Sequence, residues 1–256
     1  TTTLYSTLEE INSPHNKILS AEDPIEYNLD YVNQKQVSKN FGFAELARAF
    51  LRQDPDILLI GEIRDEETAD IAIKAAQTGH LILSTLHTND SVSAISRLRS
   101  LGIHANLLSS ALLGVLSQRL VRRICPHCIA PYEPDPKLRR LFAPRLKKER
   151  FYAGKGCDHC NYSGYKGRIG IFELFVVDPE IQRLIREDRS VEEIQEAALQ
   201  QGMVPIVADA LHKILRDITT MEEVVRVVPY MQIQSQLKIA PADLLPEAPP
   251  SPHRPE

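Results

Sequence analysis

The sequence predicts an α/β fold: a parallel sheet with helices on both faces, an insert closed by cysteines, and a helical stretch after it. Three observations predict it. Short apolar runs at residues 17–21, 57–60 and 81–85 alternate with stretches of helical periodicity. Strands that read as continuous apolar runs are covered on both faces, which is the habit of parallel sheets. All four cysteines fall in two CxxC pairs, Cys125–Cys128 and Cys157–Cys160, with 28 residues between the pairs and no cysteine left over.

Taken in order, Leu4, Leu8 and Ile11 already lie at helical spacing, and the chain opens Thr1-Thr2-Thr3 without a Met. The expectation is that it begins inside a helix of a longer protein. The run at 17–21 is the first strand. Residues 43–52 read as a helix stopped by Asp54-Pro55, and 66–77 as a second stopped by Gly79. The strands at 57–60 and 81–85 alternate with these helices. Residues 91–101 and 107–123 are expected to be helices, the latter apolar through Leu112, Leu113, Val115, Leu116 and Leu120. Composition then shifts. Between Arg122 and Gly170 lie the cysteines, several prolines and a basic stretch, 137–150, with seven Lys or Arg against one Glu. That stretch reads as a solvated arm or as an attachment to anionic lipid. A strand over 169–176 leads into three or four short helices, two of them opened by Ser190-Val-Glu-Glu193 and Thr220-Met-Glu-Glu223, both capping-box signatures. From Pro229 onward seven prolines fall in 28 residues, so the tail is expected to be largely disordered.

Composition narrows the function. With 43% hydrophobic and 25% charged residues the chain reads as an ordinary globular protein, and a net charge of −4 argues against a general nucleic-acid binder. No apolar run is long enough to span a membrane, and no signal peptide is visible. Two CxxC turns brought together make a tetrahedral S4 site of the kind zinc prefers. Four sulfurs leave no position open for substrate, so the predicted role of Cys125, Cys128, Cys157 and Cys160 is structural. Cysteines kept for metal suit a reducing compartment, the cytosol.

The chemistry is expected where the strands end. The first runs into Glu22-Asp23-Pro24-Ile25-Glu26, the second into Gly61-Glu62-Ile63-Arg64-Asp65, and the third into Leu86-His87-Thr88. In open parallel sheets ligands bind beyond the carboxyl ends of the strands. Carboxylates and an imidazole gathered there suit a Mg²⁺-nucleotide site, with carboxylates on the metal or the attacking water and the histidine near a phosphate.

These same residues carry a family resemblance. The segment 22–26 resembles the Asp box, 56–64 the Walker B segment, and 79–88 the His box of the secretion ATPases that power type II secretion and type IV pilus assembly. Residues 109–121 and 164–173 are most similar to the type II members, and the resemblance covers about residues 1–228. It implies a RecA-like P-loop NTPase core whose first strand, Gly-rich loop and Lys lie upstream of Thr1. It also implies an inserted tetracysteine zinc subdomain and a C-terminal helical subdomain. The expected division is an ATPase core at 1–122, the zinc subdomain at 123–170, helices at 171–228 and the Pro-rich tail at 229–256. By this resemblance Glu22 orients or deprotonates the attacking water, Glu62 acts through Mg²⁺, and His87 senses the γ-phosphate. Asp23 and Arg64 complete the nucleotide side, and Thr1 is the P-loop Thr that ligates Mg²⁺. Glu22 is expected to follow the strand beside the phosphate-binding strand. Gly61 stands where the generic Walker B pattern has an Asp, which moves the metal burden onto Glu62. Arg48 and Arg52 are either contacts to a neighbouring subunit or a solvated helix face.

The resemblance further implies a homo-hexamer that binds ATP with Mg²⁺. It would work in the cytoplasm, peripherally at the inner membrane, against the secretion platform proteins, with anionic lipid as a further contact. A pilus-assembly ATPase is the nearest alternative. A zinc-ribbon nucleic-acid module using the basic stretch is a distant one, disfavoured because few aromatics (Phe142 and Phe151) lie nearby for base stacking. Without its Gly-rich loop the chain alone is expected not to hydrolyse ATP.

Overall fold

Apolar strands and amphipathic helices alternate through the first third of the chain. In the computed structural model, which describes residues 2–143, 145–146 and 148–239, Thr2–Ile11 form α1, Ile18–Glu22 β1 and Val32–Gln36 β2. Phe43–Leu51 (α2), Ile57–Ile60 (β3), Glu66–Gln77 (α3), Leu81–Ser84 (β4), Ser93–Ser100 (α4) and Ala105–Ala111 (α5) follow. The strands form one parallel sheet in the order β2-β1-β3-β4. Every residue of β1 and β3 is buried. Alternation along the strands sends Ile18, Ile57 and Leu59 towards Tyr5 and Leu8 of α1. It sends Leu19, Ala21 and Leu58 towards Phe50 of α2 and Ala75 of α3. Helices thus cover both faces, and each large side chain buried there contributes about 1.5–3 kcal/mol. The edge strand β2 was not foreseen. Its sequence, Val-Asn-Gln-Lys-Gln, is mostly exposed and owes its place to backbone pairing with β1.

β1 has β2 on one side and β3 on the other. No further strand can pair with it, which corrects the expected neighbourhood of Glu22. The end of the sheet beyond β3 is β4.

The helix expected over 107–123 does not form. α5 stops at Ala111, and Gly114–Ile124 form an extended strand, β5. Gly114 is a poor helix residue. Beyond it burial alternates with a period of two, with Val121 buried and Leu116 and Leu120 exposed. The leucines that suggested a helical stripe therefore lie on the outer face of a strand.

Ile129–Tyr132 (β6) pairs antiparallel with Phe151–Gly154 (β7), and Pro136–Phe142 (α6) lies between them in sequence. Tyr165–Val176 (β8) pairs with β5. Five helices follow: Pro179–Arg186 (α7), Val191–Gln200 (α8), Ile206–Leu215 (α9), Met221–Val227 (α10) and Tyr230–Ile239 (α11). The chain divides into two compact units, Thr1–Gly114 with Val176–Ala197, and Val115–Phe175 with Ala198–Glu256. The zinc-type insert and the last helices therefore share a unit. Phe142, Leu146 and Phe151 of the insert sit in one core with Ile206, Leu211 and Ile214 of α9 and Val224 of α10.

The basic stretch is built into this second unit. Phe142 and Leu146 are buried. Lys148 Nζ donates to the carbonyls of Ile214 and Leu215 at 3.2 and 2.9 Å and to Asp217 at 2.5 Å. Arg145 Nε donates to the Leu237 carbonyl at 3.0 Å. Cations there meet the unsatisfied carbonyls and negative dipole ends of α9 and α11. Neither side chain reaches freely into solvent, so the solvated-arm reading fails for these two.

The expected disorder from Pro229 also needs correction. α11 places Ile233 and Leu237, four residues apart, in the core with α9. Of the seven prolines only Pro229 precedes residue 241, and it sits ahead of the helix, where proline is tolerated. Residues 240–256 lie outside the described residues. Ser190 and Glu193 form the expected reciprocal box, at 3.0 and 3.2 Å. Thr220 Oγ1 accepts from Glu223 N at 3.3 Å, but the Glu223 carboxylate turns to Arg122 and Arg226 instead of closing a second box.

Candidate functional site

Three parallel strands end at one cavity of the first unit, 430 Å³ in volume, and its walls include Glu22, Asp23, Glu62, Arg64 and His87. The structure therefore brings together five of the predicted site residues. Thr1 lies outside the described residues. Arg48 pairs with Glu67 on the surface, and neither Arg48 nor Arg52 lines the cavity.

Glu22 is the most constrained of the acids. As the last residue of β1 it shares a face with Ile18 and Ser20, under α1, and it is 3% exposed. Its carboxylate accepts from the Tyr5 hydroxyl, from Ser20 Oγ at 2.5 Å and from Gln34 Nε2 at 3.0 Å. A buried charge persists only when so supplied with donors. The Tyr5 hydroxyl also accepts from Glu26 N at 3.2 Å, and the Gln34 amide is oriented by the Leu29 N–H, which donates to its oxygen at 2.8 Å. Burial, then the bond to Glu22, pushes the Tyr5 phenol up to about 12, so it stays a donor at neutral pH.

Glu62 follows β3. Its side chain is 12% exposed and lies between the Arg64 guanidinium and the His87 imidazole, the latter at 3.3 Å from Nε2. Gly61 before it has a packing reason. A Cβ there would lie 3.0 Å from the Phe43 ring and 3.1 Å from the Ala21 carbonyl, which accepts Gly61 N at 2.8 Å. An Asp at that position would press β3 away from β1. The neighbouring acids are structural: Asp65 caps α3 through Thr68 N at 2.8 Å, and Asp56 accepts Lys17 N at 2.6 Å. As a donor set, the buried Glu22, the largely buried Glu62 and Asp23 beside them supply the hard oxygen ligands that Mg²⁺ takes.

The four cysteines converge in the second unit, with ligand atoms all within 4.8 Å of one another. Cys125–Cys157 and Cys128–Cys160 are each 3.9 Å apart at sulfur, and Cys157–Cys160 3.8 Å. A tetrahedral ion with bonds of about 2.3 Å to sulfur needs edges of about 3.8 Å. The cluster fits such an ion and is far too open for disulfides. Backbone amides face the sulfurs, Gly156 N on Cys128 at 3.3 Å, and Cys157 N and Gly164 N on Cys160 at 3.2 and 3.3 Å. Burial works against the Cys160 thiolate, yet these two amides together with the Cys157 and Cys128 side chains outweigh it and hold the thiol down at about 6. The two pairs sit just before β6 and just after β7, so the hairpin brings them together. His127 and His159, the third residue of each pair, stack with ring centroids 4.0 Å apart.

A family model described as "Type II/IV secretion system protein" matches residues 1–226. The chain belongs to this family. Among its secretion-family relatives, the type IV pilus assembly ATPase PilB of Thermus thermophilus is 50% identical over 227 residues, covering 87% of this chain and 26% of that protein. The type II secretion system ATPase E of Vibrio cholerae is 49% identical over 229 residues, covering 88% of this chain and 45% of that protein. The chain thus spans less than half the length of either. A crystal structure of the pilus retraction motor PilT with bound ADP superposes with a TM-score of 0.59 at 26% identity, over 91% of this chain and 56% of that one. The Legionella pneumophila ATPase DotB superposes at a TM-score of 0.64 over 87% of this chain and 55% of that one, and at 21% identity shows the fold alone. The α/β fold is that of the P-loop ATPases, as expected. No helix among the described residues is long and apolar enough to cross a membrane.

What escaped the sequence reading of this secretion-family chain is the grip on Glu22. Ser20 was findable as the residue two positions back on the same strand face. Tyr5 shares a helix face with Leu8. Gln34 was not findable, because β2 carries no apolar signal.

Proposed function

We propose that this chain is the C-terminal ATPase portion of a hexameric motor that energises type II protein secretion by driving pseudopilus assembly. The motor would work in the cytoplasm against platform proteins of the inner membrane. The observation that carries the reading is the cavity at the carboxyl ends of β1, β3 and β4, where Glu22, Asp23, Glu62, Arg64 and His87 meet. Glu22, held by three donors, orients or deprotonates the water that attacks the γ-phosphate. Glu62 would hold Mg²⁺ or its waters, with Asp23 beside it, and Thr1 would be a further Mg²⁺ ligand. Arg64 braces Glu62. His87, exposed and 3.3 Å from Glu62, can reach the γ-phosphate and report it to the acid. Bound Mg²⁺ supplies charge neutralisation on the phosphates. The four cysteines would hold a structural Zn²⁺.

A pilus-assembly motor is the second reading, supported by relatives of the two kinds at 50% and 49% identity. The chemistry is the same in both. The 256 residues contain no GxxxxGK, so the reading includes that this chain alone does not turn over ATP. Because both edges of β1 are filled, a phosphate-binding strand joined ahead of α1 would extend the sheet at an outer edge, beside β4 or β2, rather than next to β1. The test is Mg²⁺-dependent ATP turnover by this chain and by a form with a P-loop strand and loop fused before Thr1. Turnover by the fused form alone, abolished by Glu62→Gln, is expected. Turnover by the unfused chain that Glu62→Gln abolishes, or none from the fused form, would overturn the reading.

A further inference from the structure

A cavity of 440 Å³ in the second unit lies apart in sequence from every residue assigned above to ATP chemistry. Four segments meet around it: the end of β5, the first cysteine turn, the start of β8 and the turn after α9. Arg123, Lys166 and Arg216 stand on its rim, each from a different segment. All three are exposed, and among the described residues none of the three cationic groups makes an ion pair. The one carboxylate in the lining, Asp217, is already bound to Lys148 at 2.5 Å. Some basic residues elsewhere in this unit are held by partners, Arg122 and Arg226 by Glu223, Lys148 by the end of α9 and Lys213 by Asp209, whereas Lys137, Arg150 and Lys155 stand singly on the surface rather than around one cavity. Ile124, Ile129 and Ile218 supply apolar surface in the same cavity, beside the His127 ring.

We infer that this cavity is a second ligand site, for a phosphate-bearing small molecule of the nucleotide class. Three cations from separate segments line one cavity whose single carboxylate, Asp217, is engaged by Lys148; they leave a field that favours a multiply charged anion, and two of them are guanidinium forks suited to phosphate oxygens. Orthophosphate would occupy only a small part of the volume, whereas the volume lies in the range of sites for whole organic ligands. The isoleucines and the imidazole give the flat, weakly polar body of such a ligand a surface to lie on. Its position beside the cysteine turns couples occupancy to their order rather than to the acids of the first unit.

The test uses this chain with zinc bound and its isoleucine methyl groups isotopically labelled. ATP, AMP, pyrophosphate and adenosine are titrated in turn without Mg²⁺. The expected result is saturable shifts of the Ile124, Ile129 and Ile218 methyls with ATP, weaker ones with AMP or pyrophosphate, and none with adenosine. Arg123→Glu with Arg216→Glu should weaken ATP binding by roughly tenfold or more, since two charged hydrogen-bonding partners are reversed. Lys137→Glu, on the exposed face of α6, should leave it unchanged. Unmoved Ile206 and Ile214 methyls show that the variants remain folded. The inference is overturned if the three floor methyls do not respond, or if Lys137→Glu weakens binding as much as the paired reversal. Shifts confined to Ile57 and Ile60 would place ATP in the first unit only and would likewise overturn it.

Discussion

Glu22→Gln separates the structural and chemical demands on one side chain. The carboxylate is 3% exposed and accepts from Tyr5, Ser20 and Gln34. Hydrogen bonds to a charged acceptor contribute about 1.5–3 kcal/mol each, and those between neutral groups about 0.5–1.5. Replacing charge by amide therefore weakens three bonds by about 1 kcal/mol each. The new NH₂ also has to face a donor. Turned towards Tyr5, it meets a hydroxyl that already accepts from Glu26 N at 3.2 Å. Against this, an amide is less costly to bury than a carboxylate, by a margin that recovers about 1–2 kcal/mol. The net expectation is a first unit destabilised by about 1–2 kcal/mol, a tenfold or greater rise in amide exchange along β1 and β3. In the form with the fused P-loop, ATP should still bind while turnover falls by roughly 10²-fold or more, the range of lost general-base catalysis. Tyr5→Phe serves as the control. It removes a donor and keeps the charge, so exchange should rise comparably while turnover falls less. Unchanged exchange in Glu22→Gln would show that the carboxylate is not gripped as described. Turnover within a factor of about three of the parent would remove Glu22 from the chemistry.

Three further outcomes follow from the same structure. Purified protein should carry about one Zn²⁺ per chain, and Cys157→Ser should release it and open the segments around both cysteine pairs to proteolysis. Phe142, Leu146 and Phe151 should stay protected by the helical core, so cleavage spreading through α6 would contradict the shared core. Glu62→Gln in the fused form should move the Mg²⁺ midpoint of turnover to higher concentration, because a hard anionic ligand is lost; a shift with Glu22→Gln and none with Glu62→Gln would reverse the two roles. Burial alone would raise the Glu223 carboxyl, but Arg226 and Arg122 more than reverse this and hold it at about 2, down from 4.5. A depressed pKa means stability present above about pH 4.5 and lost as pH falls towards 2, worth about 3 kcal/mol in the second unit. Glu223→Gln should remove that acid-range slope, and an unchanged denaturation curve between pH 5 and 2 would refute the assignment.

The buried strands and their order in the chain were legible in the sequence because continuous apolar runs report two-sided burial directly. The acids and the imidazole at their ends were legible for the same reason, since a parallel sheet brings those ends to one edge. The cysteine spacing reported its own cluster. Where the sequence misled, a pattern had two readings. Leu112, Leu113, Leu116 and Leu120 satisfy a helical stripe, yet Gly114 breaks it and Leu116 and Leu120 face outward from a strand. The basic stretch looked solvated because charge is visible in sequence and helix carbonyls are not; only folding brings α9 and α11 to Lys148 and Arg145. β2 was silent, because an edge strand held by main-chain bonds needs no apolar face. With it went Gln34, and the view of how Glu22 is held. Sequence by itself determined which residues carry charge and sulfur and roughly where each strand ends, because those depend on local pattern. Tertiary structure decided which donors surround Glu22, which strands flank β1 and which cations line one cavity, because these depend on contacts between segments far apart in the chain.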